Sequence, residues 1–176
     1  MGNRFLVPST TPGQQGGMTL LSTTTLSGTT VSLTSIPQTY RNLQIIIRNY
    51  RPASDGTGLL MRINGDSGSN RHIYKTSWAQ STSDVINQTS IFIVDNADNT
   101  VSTYANIRIE IPDYTNATNG THILANATAN NQTTTNNINF WNVVGYYEQS
   151  AAVSSIDFFN FSGNFTSGTL LLYGVK

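Results

Sequence analysis

Thr103-Tyr104-Ala105-Asn106-Ile107-Arg108-Ile109-Glu110-Ile111 alternates apolar and polar residues over most of its length. Successive side chains of an extended backbone point to opposite faces, so Ala105, Ile107, Ile109 and Ile111 share one side and Asn106, Arg108 and Glu110 the other. A strand that is apolar on one face and polar on the other belongs to an antiparallel sheet with a core on one side and water on the other. The stretch therefore predicts a half-buried antiparallel strand over residues 103–111.

The chain on either side repeats this kind of signal. Extended runs are expected over residues 18–26, 29–36, 42–50, 58–64, 72–78, 89–94, 122–129, 138–148, 156–161 and 169–175. Turn-forming Asn64-Gly65-Asp66 predicts a hairpin into residues 72–78, and Gly163, Asn164 and Gly168 predict another between residues 156–161 and 169–175. Short strands, frequent turns and no amphipathic helical period predict an all-β, two-sheet antiparallel sandwich of jelly-roll type over residues 18–176. Pro8, Pro12, Gly13, Gly16 and Gly17 interrupt regular structure before it, so residues 1–17 are expected to form an extended arm.

Composition narrows the function classes. The 176 residues include no cysteine, which removes disulfides, thiolate metal sites and thiol nucleophiles. Lys+Arg and Asp+Glu are 9 each, and a net charge of zero does not suit a protein that grips nucleic acid through many phosphates. Only 10% of residues are charged, while 18 Ser, 25 Thr and 20 Asn supply most of the polarity. Thr favours strands, and Asn and Ser favour turns. The apolar run near Met1 is too short for a signal peptide, and no run is long enough to span a membrane.

Four stretches carry a resemblance: Ser35-Ile36-Pro37-Gln38-Thr39-Tyr40-Arg41-Asn42-Leu43, Arg62-Ile63-Asn64-Gly65-Asp66-Ser67-Gly68-Ser69-Asn70, Glu110-Ile111-Pro112-Asp113-Tyr114, and the ending Ser162-Gly163-Asn164-Phe165 through Leu172-Tyr173-Gly174-Val175-Lys176. Together they resemble small β-sandwich virion structural proteins of tailed bacteriophages. The resemblance implies a non-enzymatic part of the virion surface that decorates or cements the capsid or forms a short fibre. Its implied partners are capsid or other virion proteins and further copies of itself, as a homotrimer. A tail-fibre or adhesin module recognising host-surface glycans through loop aromatics is the alternative.

Catalytic and metal chemistry find little support in the residues. His72 and His122 sit in no nucleophile or zinc-binding spacing, and Glu110 lies beside Arg108, where a cross-strand ion pair is the ordinary use. Asp66 and the Asp95/Asp98 loop put oxygen ligands on turns, as calcium sites do, but turn chemistry explains both, so no cofactor is expected. Arg41, Arg48, Arg51, Arg62, Arg71 and Lys75 cluster in one third of the chain and would form a positive patch if adjacent strands carried them.

Two segments are expected to dock. Arg4, Phe5, Leu6 and Val7 form an apolar plug in the arm. In residues 138–147, Trp141, Val143 and Tyr147 oppose Phe140, Val144 and Tyr146, so both faces are apolar. With Ile46 and Leu171, the set Trp141, Val143 and Tyr147 is expected on the outside, covered by a neighbouring subunit.

Overall fold

The computed structural model describes residues 17–69, 71–78, 81–100, 104–130 and 138–176. Among them the regular structure is entirely β: β1 (Met18–Thr25), β2 (Thr30–Leu33), β3 (Asn42–Pro52), β4 (Thr57–Ile63), β5 (His72–Trp78), β6 (Ser81–Gln88), β7 (Ile91–Ala97), β8 (Ala105–Ile111), β9 (Thr121–Asn130), β10 (Ile138–Tyr147), β11 (Ile156–Asn160) and β12 (Phe165–Val175). The expected sandwich is present. An eight-stranded sheet ordered β1-β12-β3-β8-β9-β10-β5-β6 packs on a four-stranded sheet ordered β2-β11-β4-β7, and the pairings are antiparallel. The expected arm, with Arg4, Phe5, Leu6 and Val7, lies outside the described residues except for Gly17.

The strand order is that of a jelly roll with two insertions. Taking β1, β2, β3, β4, β7, β8, β11 and β12 alone leaves two four-stranded sheets, β1-β12-β3-β8 and β2-β11-β4-β7, which is the doubled Greek key. The pair β5–β6 is inserted between β4 and β7, and β9–β10 between β8 and β11. Both pairs extend the larger sheet beyond β8.

This order corrects two expected hairpins. β4 and β5 lie in different sheets, as do β11 and β12, so the turn residues between them carry the chain across the core. The reason is burial. Leu59, Met61 and Ile63 of β4 and Ile156 and Phe158 of β11 cover the inner side of the four-stranded sheet, while Leu170 and Leu172 of β12 cover the inner side of the other. Apolar faces cover each other across the gap between stacked sheets, not side by side in one sheet. β6, with its polar sequence STSDVINQ, had no alternation by which to be anticipated.

The deciding stretch behaves as its pattern dictates. β8 has Ala105, Ile107, Ile109 and Ile111 buried, with Asn106 and Arg108 exposed. Its neighbour β3 keeps Leu43, Ile45, Ile47 and Tyr50 inside although the last spacing is three, because the pairing with β8 shifts between Ile47 and Tyr50. Asn49 takes φ +54 in that irregularity, a left-handed conformation that Asn tolerates better than branched residues. Tyr50 is then fully buried, and its hydroxyl donates to Asn160 Oδ1 at 2.8 Å. Burial and the nearby Asp95 charge push its pKa far up, so it stays a neutral donor.

Candidate functional site

β10 decides which surface is available. Its register with β9 places Trp141 opposite Ala127, Val143 opposite Ala125 and Asn139 opposite Ala129. The alanines leave room on the inner face, and the bulky side chains of β10 fill it. Trp141, Val143 and Tyr147 are consequently 9%, 2% and 3% exposed and belong to the core. They were expected on the outside, and the structure corrects that assignment. Gly145, on the same inner face, makes the close approach of β7 possible: a Cβ there would come within 2.8 Å of Ile91 Cδ1.

The residues facing outward are the other set. Phe140, Val144 and Leu124 are 47%, 52% and 44% exposed, and Val144 pairs directly with Leu124. Half-buried Tyr146 stacks on His122, with ring centroids 4.8 Å apart. Ile46 is half-buried on the outer face of β3, where it pairs with Leu171. Leu171 shares the outer side of this sheet with Ile46 through that pairing, but at 9% exposed it is already largely covered within the chain. The signal that separates the two sets is the alanine run of β9, which requires bulk beside it on the same face.

Above this sheet runs an open trough of about 580 Å³, lined by Ile46 and Arg48 of β3, Asn106 and Arg108 of β8, Asn126 of β9, and Phe140 and Asn142 of β10. Two cross-strand rows build it. One joins Ile46 to Arg108, Arg108 to Asn126 and Asn126 to Asn142; the next joins Asn106 to Thr128 and Thr128 to Phe140. Asn126 Nδ2 donates to Asn142 Oδ1, and Asn106 Oδ1 accepts from the backbone N–H of Asn49 at 3.3 Å.

The remaining candidates have structural uses. Glu110 accepts from Arg108 two residues away on its own strand, not across strands. His72 is buried, and its Nε2 accepts the backbone N–H of Ile63 at 3.3 Å, tying β5 to β4 across the sandwich. Burial pushes its pKa down to about 4, with Arg62 adding to the effect and Asp66 opposing it.

At Asp66 partial burial works against ionisation. The Gly68 N–H, the Tyr147 hydroxyl at 3.1 Å, Arg71 and His72 outweigh it and hold the carboxyl below its ordinary value. Asp98 accepts from the backbone N–H of Thr100 at 2.7 Å and from its hydroxyl. Among the described residues no group of three or more His, Asp or Glu is placed to hold a metal.

The arginines disperse. Arg41 pairs with Asp113 at 3.5 Å, Arg71 with Asp66 at 3.7 Å, and Arg62 lies over the Phe159 ring at 4.7 Å on the other sheet. Of these four, Arg48 alone is among the residues that line the trough, whose lining is almost wholly apolar.

No protein-family model matches this chain, and no curated protein does. A solved structure of a protein of unknown function from Shewanella oneidensis MR-1 aligns over 91% of this chain and 76% of its own at 8% identity, with a TM-score of 0.25. A likeness that slight carries no argument.

Proposed function

We propose that this chain is a non-enzymatic structural protein of a tailed-phage particle, one that decorates or cements the capsid or builds a short fibre. Copies associate through the outer face of the eight-stranded sheet, with a trimer as the expected closed ring. The observation that supports this reading is the pair Leu124 and Val144, directly opposed on β9 and β10 and exposed among the described residues, with half-buried Tyr146 beside them. A chain with only 10% charged residues and no net charge has little to keep such a stripe from associating. The jelly-roll order and the four phage-like stretches agree with it.

The test is to purify phage particles carrying this chain, locate it by imaging and count its copies. A copy number that scales with the capsid lattice identifies decoration, and a few copies at one vertex identify a fibre or neck part. Absence of the chain from the particles would overturn the proposal.

A further inference from the structure

We propose that Asn119 is a site of spontaneous covalent modification, converting to aspartate and isoaspartate through a cyclic imide that the backbone nitrogen of Gly120 closes. The inference is independent of the proposed packing stripe, because it concerns the turn that leads into β9 and needs no second copy of the chain.

Two Asn-Gly steps stand in the sequence, Asn64-Gly65 and Asn119-Gly120. Glycine has no Cβ to hinder attack by its own nitrogen on the preceding side chain, and that attack is intramolecular, so an asparagine closes most readily on the backbone when glycine follows it. The dipeptide is the same in both places. Their surroundings differ.

Asn64 is held by both atoms of its amide. Its Oδ1 accepts from the backbone N–H of Ser154 at 2.8 Å, from the Ser154 hydroxyl at 3.2 Å and from the backbone N–H of Ser155 at 3.1 Å, while its Nδ2 donates to the Ala152 carbonyl at 2.9 Å. To present Cγ to the Gly65 nitrogen the side chain must give up these four contacts, and with them the tie between the end of β4 and the segment entering β11.

Asn119 has no such hold. Its side chain is exposed and makes no hydrogen bond among the described residues; Asn116 Oδ1 accepts only its backbone N–H, at 3.2 Å. The attacking group is free as well, since the Gly120 N–H makes no hydrogen bond among the described residues. Packing also imposes the glycine: a side chain at 120 would run into the Tyr146 hydroxyl and the Tyr147 carbonyl. The fit that brings the chain into β9 thus keeps at 120 the residue whose nitrogen is most open to react.

The step balances with water as the sole co-reactant. The Gly120 nitrogen bonds to Asn119 Cγ and loses its proton, the Cγ–Nδ2 bond breaks, and Nδ2 leaves with that proton as ammonia. Water then opens the five-membered ring. Cleavage between Cγ and the Gly120 nitrogen gives aspartate, and cleavage between the main-chain carbonyl carbon of Asn119 and that nitrogen gives isoaspartate. Either product adds one negative charge to a chain whose formal net charge is zero.

The experiment incubates the full chain at mildly alkaline pH, folded and in denaturing urea, digests samples with pepsin in acid, where the ring closes slowly, and locates the products by fragment-ion mass spectrometry. In the folded chain aspartate and isoaspartate should both accumulate at position 119, at least about tenfold faster than at Asn64. In urea, where Asn64 has lost its hydrogen bonds, the two rates should converge. Asn119→Gln, an exposed substitution with an unchanged melting curve, should remove the acidic species that isoelectric focusing resolves in the aged natural chain. An Asn119 that stays intact in the folded chain, equal rates at the two sites while folded, an undiminished difference in urea, or aspartate without isoaspartate would each overturn the proposal.

Discussion

At the scale of single residues, His72 couples stability to pH. Its imidazole is buried and neutral, with a pKa near 4 against an ordinary 6.5, so the unfolded chain binds more protons between those values. The stabilisation is complete above about pH 6.5 and is lost as pH falls toward about 4, by roughly 3 kcal/mol at most. Thermal melts between pH 7 and pH 4 should show this fall, and His72→Gln should flatten it; equal slopes in the two proteins would refute the assignment. Asp66 acts at lower pH, because its depressed carboxyl pKa contributes stability that persists until acid protonates it. Trp141 gives a second residue-scale expectation. As a core residue opposite Ala127 of β9, Trp141→Ala should cost about 3–5 kcal/mol in urea denaturation. Retention of full stability with a lowered oligomer mass would restore the residue to an interface.

At the scale of elements, β10 carries the decision. Its two faces, Trp141-Val143-Tyr147 and Phe140-Val144-Tyr146, are both apolar, so alternation by itself does not tell which one enters the core. β8 posed no such difficulty, because Asn106, Arg108 and Glu110 mark its wet side. In β10 the choice rests on pairing: Ala125, Ala127 and Ala129 of β9 leave inner space beside Val143, Trp141 and Asn139, and Gly145 admits Ile91 of β7. Two consequences are measurable. Gly145→Leu should lower stability by several kcal/mol, since the added side chain meets Ile91 in a packed core. Leu124→Lys with Val144→Glu puts opposite charges on a directly paired position and keeps Leu124→Lys beside Glu110, so the fold should survive. If the proposed trimer forms through this stripe, sedimentation should report a monomer for the double variant, and a mass unchanged from that of the natural chain would remove the stripe from the interface.

At the scale of the whole molecule, the first and last strands are neighbours: β12 lies between β1 and β3 in the larger sheet. Pairing so distant in sequence must be closed before the sandwich is complete, and folding in the millisecond-to-second range is expected. Deleting residues 165–176 should abolish the fold, because β1 and β3 would lose their shared partner. Deleting residues 2–16, which precede β1, should leave the melting temperature within a few degrees and, if the arm docks, abolish incorporation into particles. The class of fold was legible in the sequence because strand alternation and turn chemistry are local: the geometry of one strand separates Ile107 and Ile109 from Arg108 whatever lies beside them. Absence of a helical period and the spacing of turns were enough for a sandwich, and most strands fall where the runs predicted. Tertiary structure alone decided the rest. Whether Asn64-Gly65 closes a hairpin or carries the chain across the core, which face of β10 is dry, and which residues of β8, β9 and β10 line up with Ile46 of β3 all depend on pairings between residues far apart in the chain. Those pairings are selected by how whole faces bury each other, a property that no single strand possesses.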